Sequence, residues 1–260
     1  MILQELAALA AERVKQARQK VPLEEMRAAA LALPRKDFCF EGRLRSPGLS
    51  FICEIKKASP SKGVISPDFP YREIAQAYKA AGADCVSCLT EPHYFLGSDE
   101  IFREIRSELR LPMLRKDFTV DAYQLYQAKC LGADAVLLIC ALLDTATVAS
   151  YLEICDSLGI SALVETHDEA EIRSAVSVGA SLIGVNNRNL KNFSVDLANA
   201  IRLRDKIPAS AVFVAESGIH TPAEVAVLKK AGADAVLIGE ALMRSDDIAA
   251  TLALFRGAAS

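Results

Sequence analysis

The sequence predicts a (β/α)8 TIM barrel with an N-terminal helical extension. Three observations predict it. From Ser50 onward, short β-rich runs alternate with longer amphipathic helical runs, which implies parallel strands joined by right-handed crossovers. Four segments, "AGADCVSCL", "LGADAVLLI", "VGASLIGV" and "AGADAVLIG", echo one another: a glycine (82, 132, 179, 232) caps a helix and a strand follows at once. The units are eight and near-equal in length, as closure into such a barrel of roughly 250 residues requires.

The extension is expected over residues 1–48 and the barrel over 49–260, as one domain overall. Ile2, Leu3, Leu6, Leu9, Ala10, Val14 and Ala17 have the spacing of one helix face. A second short helix starts near Pro22, which suits a first turn, and Pro34 stops it. "CFEGRLRSPGLS" reads as a loop into the barrel. The eight strands are "SFICEI", "CVSCL", "MLRK", "AVLLI", "ALVE", "LIGVN", "VFVAE" and "AVLIG". Helices are expected to follow from near Tyr71, Ser98, Ala122, Asp144, Asp168, Leu197, Thr221 and Asp247. The chain has 260 residues, 52% of them hydrophobic, close to the roughly 250 of a typical barrel. An open doubly wound sheet would usually carry a G-x-G-x-x-G turn after its first strand, and "EIKKASPSKG" is not one.

Composition narrows the partners. The net charge is −3 with both signs interspersed, and no Lys/Arg run points to nucleic acid. The start, "MILQELAALAAERVKQARQK", is too interrupted by Gln4, Glu5, Glu12 and Arg13 for a signal peptide. No apolar stretch reaches the roughly 20 residues that span a bilayer, so a cytoplasmic location without membrane contact is expected. Seven cysteines, mostly inside apolar segments, read as reduced core residues. Cys85 and Cys88 spell C-x-x-C, but three residues apart on a strand they face opposite sides, so no metal is expected. His93, His167 and His220 read as loop or capping residues.

The strand ends carry the chemistry. The first ends in Glu54 and Lys56, two apart and so on one face, with Lys57 pointing elsewhere. The third ends in Lys116, the fifth in Glu165, the sixth in Asn186 followed by Arg188, the seventh in Glu216–Ser217–Gly218, and the eighth in Gly239. The opposite strand ends show little charge. Burying one ion pair would be unremarkable, but so many ionic groups from five strand ends are poor stabilisers and read as a reaction site. Gly218 and Gly239, just after strands seven and eight, suit phosphate binding through backbone N–H groups, with Ser59 and Lys62 added from the loop above. Lys116 and Glu165 are a candidate acid and base. Residues alone thus point to a barrel enzyme acting on a phosphorylated small molecule without a dinucleotide.

"CEIKKASPSKG", "MLRKDF", "LVETHDEAE", "IGVNNRNLKNFSVDL" and "VAESGIHTP", in this order across nearly the whole chain, resemble the indole-3-glycerol-phosphate synthase family of tryptophan biosynthesis. The resemblance implies a carbon–carbon lyase without cofactor or metal, of the single-function form. Its reaction closes the ring of 1-(2-carboxyphenylamino)-1-deoxyribulose 5-phosphate with decarboxylation and dehydration. It implies Lys116 as general acid in ring closure and Glu165 as general base in dehydration. Lys56 would hold the anthranilate carboxylate and serve as a second proton donor. Glu54, Asn186, Arg188, Glu216 and Ser217 would orient substrate and catalytic groups. Ser59, Gly218 and Gly239 would hold phosphate, and Phe95, Phe118 and Leu137 would line the aromatic-ring pocket. The loop from Ser59 to Pro67 would act as a lid, and other tryptophan-pathway enzymes would be its protein partners. Two departures stand out. Glu240 follows Gly239, so its side chain should point away. No tryptophan is present, so Leu6 or Leu9 would cover the substrate. The rival readings are a Schiff-base aldolase acting on a phosphosugar through Lys116 or Lys56, and a non-catalytic barrel that binds phosphorylated ligands.

Overall fold

The structure, a computed structural model, describes residues 2–189 and 192–259. Eight parallel strands close into a barrel: β1 (Ser50–Ile55), β2 (Cys85–Leu89), β3 (Met113–Lys116), β4 (Ala135–Ile139), β5 (Ser161–Thr166), β6 (Leu182–Asn186), β7 (Val212–Glu216) and β8 (Ala235–Ile238). β8 closes on β1, with Ser50 opposite Ala235 and Cys53 opposite Ile238. All eight runs expected from the sequence are strands. The helices begin where expected, and Ser98, Asp144, Asp168, Thr221 and Asp247 each accept a backbone N–H of the first turn. Each such cap contributes about 1 kcal/mol. The four echoed glycines have φ between 78° and 89°, a conformation that glycine adopts without steric cost.

Side-chain alternation divides the strands into two apolar populations. Phe51, Cys53, Val86, Cys88, Val164, Ile183 and Phe213 face outward and join the large core under the helices. Ile52, Cys85, Leu114, Leu137, Leu163, Leu182, Val214 and Leu237 form a second cluster, which fills the barrel lumen. Cys85 and Cys88 thus belong to different clusters, as residues three apart on a strand must. Continuing the inner face upward in steps of two leads from Ile52 to Glu54 and Lys56, from Leu114 to Lys116, from Leu163 to Glu165, from Leu182 to Asn186, and from Val214 to Glu216. The lumen is apolar through its lower layers and ionic at the top.

The extension touches both ends of the barrel. Helix Ile2–Lys20 lies at the upper rim, where Arg13 makes two hydrogen bonds to Asp117 (2.9 and 2.7 Å) and Arg18 bonds Asp121. Helix Leu23–Ala32 packs on helix Tyr123–Leu131. The segment expected to be a loop contains a helix, Cys39–Leu44. Phe40 and Leu44, four apart on that helix, are fully buried in the lumen cluster and plug the barrel from below. Tertiary burial of a phenylalanine and a leucine, each worth about 2 kcal/mol, overrides the loop-like Gly42 and the Ser46–Pro47–Gly48 run. No helix among the described residues is long and apolar enough to cross a membrane.

The lower rim corrects a second expectation, because it is charged too. Asp84, Asp134 and Asp234, the aspartates of the "GAD" echo, sit just before β2, β4 and β8. Each accepts the N–H of the residue beginning or near the start of the preceding strand (Phe51, Met113, Phe213) and donates its own N–H to that residue's carbonyl. These two-point clasps tie neighbouring strands together in register.

Candidate active site

All fourteen residues singled out from the sequence line one cleft at the upper rim, together with Ile2, Leu3 and Leu6 of the first helix. Its polar floor comes from strand ends on opposite sides of the barrel. The Lys116 ammonium lies 3.5 Å from Glu165 Oε2 and 3.6 Å from Glu216 Oε2. Lys56 donates to Glu54 Oε1 at 2.7 Å, and Ser87 Oγ lies 3.4 Å from Glu54 Oε2. The Asn186 amide donates to Glu165 Oε1 at 3.1 Å, while its carbonyl oxygen accepts the backbone N–H of Arg188. Phe95 and Phe118, with ring centroids 6.1 Å apart, stand with Leu137 as the apolar wall.

The two carboxylates beside Lys116 differ in their surroundings. Burial raises Glu165, but Lys116, His167 and the Asn186 amide outweigh it and hold the group below the ordinary range. Burial also raises Glu216; the Glu165 charge raises it further, and Lys116 offsets only part, leaving it at about 8. Neither Glu216 oxygen has a hydrogen-bond partner. Lys116 itself is lowered by burial and raised more strongly by Glu165, Glu216 and Glu54, so it stays a cation. Glu54 is raised by burial and lowered by Lys56, Lys116 and Ser87, with the lowering dominant.

Two glycines make this packing possible. A Cβ at Gly184 would collide with Glu216 Oε1, and one at Gly239 would come within 2.6 Å of Glu54 Oε1 and 2.9 Å of Lys56 Nζ. Gly239 therefore makes room for an ion pair beneath it. Ser217 and Gly218 both have positive φ (67° and 77°), so the chain turns sharply at the end of β7. A serine held there costs about 1 kcal/mol or more, and such strain gathers at functional sites.

Sequence comparison gives the same reading over the whole chain. The family model for indole-3-glycerol phosphate synthase matches residues 3–255. The chain belongs to that family. It is 52% identical to the indole-3-glycerol phosphate synthase of Ruminiclostridium cellulolyticum, with all of both chains covered. It is 48% identical to the enzyme of that name from Endomicrobium trichonymphae, over 97% of this chain and 98% of the relative. Its activity is ring closure, decarboxylation and dehydration of 1-(2-carboxyphenylamino)-1-deoxyribulose 5-phosphate, a lyase reaction of tryptophan biosynthesis. Among solved structures, a thiamine phosphate pyrophosphorylase from Pyrococcus furiosus superposes with a TM-score of 0.62 at 16% identity, over 85% of this chain and 97% of the other. A 3-hexulose-6-phosphate synthase from Salmonella typhimurium superposes with a TM-score of 0.66 at 14% identity, over 81% and 98%. These share the fold alone.

Within this indole-3-glycerol phosphate synthase fold, three further residues shape the cleft. His167 lies, as expected, in the loop just after β5, and its side chain continues the inward face from Glu165. Its Nε2 lies 3.4 Å from Glu165 Oε1 and its Nδ1 lies 3.1 Å from Glu171 Oε2. The step of two that joins Glu54 to Lys56 would have found it. Glu91, fully buried after β2, accepts the N–H groups of His93, Tyr94 and Phe95 and so presents Phe95 to the cleft. Asp117, next to Lys116, is bonded by Arg13 and Thr90. Two expectations are corrected. Glu240 does not point away: it lines the cleft and pairs with Lys62 at 3.3 Å, so the loop lysine faces a carboxylate. Of the two leucines expected as cover, Leu6 lines the cleft and Leu9 does not.

Proposed function

We propose that Lys116 is the acid of ring closure and Glu165 the base of dehydration in this cleft. The observation that carries the reading is the Lys116 ammonium held about equally far from two buried carboxylates, beneath an apolar wall. In ring closure, the arene carbon bearing the carboxylate attacks the ketone carbon, and the carbonyl electron pair moves onto oxygen. A cation in a water-poor site stabilises that developing charge, an effect worth a factor of about 10² to 10³ per donor, and Lys116 delivers the proton. Carbon dioxide then leaves and its bonding pair restores aromaticity. In dehydration, Glu165 takes a proton from the carbon next to nitrogen while the hydroxyl leaves as water with a proton from a lysine.

Lys56, paired with Glu54, is placed to meet the substrate carboxylate and to act as the second donor. Asn186, Arg188, Glu216 and Ser217 orient the substrate hydroxyls and the catalytic groups. Phe95, Phe118 and Leu137 take the aromatic ring. Ser59, Gly218 and Gly239 hold the phosphate, with the Ser59–Pro67 loop as a lid. The extension (1–48) and barrel (49–260) act as one domain in this reading, since Arg13 anchors the covering helix beside Lys116. Seven free cysteines suit a reducing, cytoplasmic setting, where other tryptophan-pathway enzymes are the partners to seek.

The raised Lys116 ammonium disfavours the Schiff-base reading, because an amine nucleophile needs its pKa lowered. The test is direct. Purified protein is mixed with the carboxyphenylamino-deoxyribulose phosphate, and indole absorbance and fluorescence are followed for the wild type, K116M and E165Q. The wild type should form product and both variants should lose it. An active K116M or E165Q would remove the corresponding role.

A further inference from the structure

Lys116 does not by itself decide which neighbouring carboxylate stays ionised, because it lies 3.5 Å from Glu165 and 3.6 Å from Glu216. Yet the proposed chemistry needs one base at a defined place. The two carboxylates differ in what lies on their far sides. Glu216 meets no hydrogen-bond donor on either oxygen. Glu165 meets the Asn186 amide and, at 3.4 Å from Oε1, the buried Nε2 of His167. The His167 ring is held from behind: Glu171 Oε2 lies 3.1 Å from Nδ1 and also accepts the His167 backbone N–H at 2.8 Å. Asn199 fixes the same residue by donating to its carbonyl oxygen.

We infer that His167, kept as an imidazolium by Glu171, is the positioning residue that makes Glu165 rather than Glu216 the ionised carboxylate at Lys116. The inference rests on Glu165 being the base. An imidazolium carries a proton on both nitrogens: Nδ1–H goes to Glu171, while Nε2 makes no hydrogen bond and acts on Glu165 Oε1 through its charge at 3.4 Å. The pair of carboxylates around the ring favours its charged form, outweighing burial. The other ionisable groups around the ring do not take over this role. Glu216 adds a third carboxylate across the lumen. Cys140, at the end of β4, is pushed up to about 12 by burial and by Glu171, Glu165 and Asp168, so its thiol stays neutral. Lys116 approaches Glu165 on Oε2, the oxygen opposite the one His167 faces.

His167 and Glu171 also line a second, polar cavity with Asp168, Asn199, Arg188 and Arg202, of which Arg202 is paired with Asp196. His167 and Glu171 do not line the first cleft, but the two spaces adjoin at Asn186 and Arg188, which line both. A change at His167 or Glu171 alters the charge beside the base without removing a residue of the first cleft.

The test measures kcat and KM for the carboxyphenylamino substrate from pH 5 to 9 in H167N, E171Q and E165Q. H167N removes the cation. The acid limb of kcat/KM should move up by about one pH unit, so that activity falls about tenfold on the acid side of the profile and little at neutral pH, since one unit is a tenfold change in protonation below the pKa. KM should change little. E171Q keeps an acceptor for the His167 N–H but loses the charge, so the ring should deprotonate earlier and the alkaline limb should move down. A wild-type profile for H167N overturns the inference. Should H167N fail to fold, a wild-type profile for E171Q overturns it instead. E165Q distinguishes the two levels: an inactive E165Q beside an unaltered H167N leaves the base in place and removes only the selection, whereas an active E165Q removes both.

Discussion

The two rims of the barrel are both charged, and they use charge in opposite ways. At the lower rim, Asp134 accepts from the Met113 N–H, from Lys36 and from Arg106, so each oxygen has a donor. Asp84 is served likewise by the Phe51 N–H, Arg43 and Arg256. At the upper rim, Glu216 is 1% exposed and both its oxygens go without a hydrogen bond. The lower carboxylates are bound into the strand register. The upper one is left with interactions still to be made, and an unsatisfied buried carboxyl costs several kcal/mol of stability. Glu54 and Glu165 at the same rim are hydrogen-bonded to Lys56 and Asn186, so it is Glu216 that the fold leaves without a donor.

The largest expected effects come from exchanging one residue at each rim. K116M should lower kcat about a thousandfold, measured by indole formation. D134A should leave kcat of the folded protein within about twofold while lowering the unfolding free energy by about 3 kcal/mol, because Lys36 and Arg106 lose their buried partner. Urea denaturation reads the second effect. A D134A protein of normal stability, or one folded but inactive, would break the division of labour between the rims.

Glu216 sharpens the comparison through pH. Its carboxyl is raised from 4.5 to about 8 in the folded chain, whereas the unfolded chain titrates near the lower value. Between those two pH values the folded state holds the proton and the unfolded state does not. Stability contributed by this group is therefore present below the lower value and is lost as pH rises through the window. E216Q carries no such titration. It should gain stability relative to the wild type as pH rises from about 5 to about 8, and lose activity throughout. Thermal unfolding at several pH values would show a flat difference if Glu216 titrated normally.

Much of the upper rim was legible in the sequence because strand alternation is a rigid rule. Glu54 and Lys56, Asn186 and Arg188, and the lone Lys116 could each be placed by counting in twos from an apolar lumen residue. His167 obeys the same count from Glu165; it was missed because the apolar run had ended and the residue read as loop. The lower rim was less legible for a different reason. The "GAD" echo marked helix ends through its glycine, but the aspartate acts on a strand roughly 20 to 30 residues earlier, a partner that no local pattern names. Helix Cys39–Leu44 was hidden because its stability comes from burying Phe40 and Leu44 in the lumen, while its own six residues include a glycine. Local rules carried the elements and the faces. Contacts made at long sequence separation carried the plug, the clasps and the anchor of the first helix.

That anchor gives a prediction of intermediate size. Arg13 makes two hydrogen bonds to Asp117, which is 2% exposed. R13A leaves Asp117 with the Phe118 N–H, Thr90 and a longer approach from Arg115 at 3.6 Å. Hydrogen bonds to a buried charge contribute about 2 kcal/mol, so stability should fall by about that amount. The same change loosens Ile2, Leu3 and Leu6 over the cleft, so KM should rise several-fold while kcat holds. A change confined to kcat would mean that the helix acts on the chemistry and not on cover.

The smallest effect should come from Lys62, the loop lysine that meets Glu240 across the mouth of the cleft. Its side chain is 44% exposed, and pairs of this kind contribute less than about 0.5 kcal/mol because water screens them and two side chains must be ordered. K62M should therefore leave the unfolding free energy almost unchanged. Its consequence for the substrate has a different origin: in the proposed reading, a phosphate bound at Ser59, Gly218 and Gly239 would draw Lys62 from Glu240 as the more highly charged anion. KM should then rise about two- to fivefold in K62M, and the rise should shrink with added salt as the Debye length falls from about 10 Å at 0.1 M to about 3 Å at 1 M. A KM insensitive both to the substitution and to salt would place Lys62 with the lower rim, as a residue whose charge serves the fold alone.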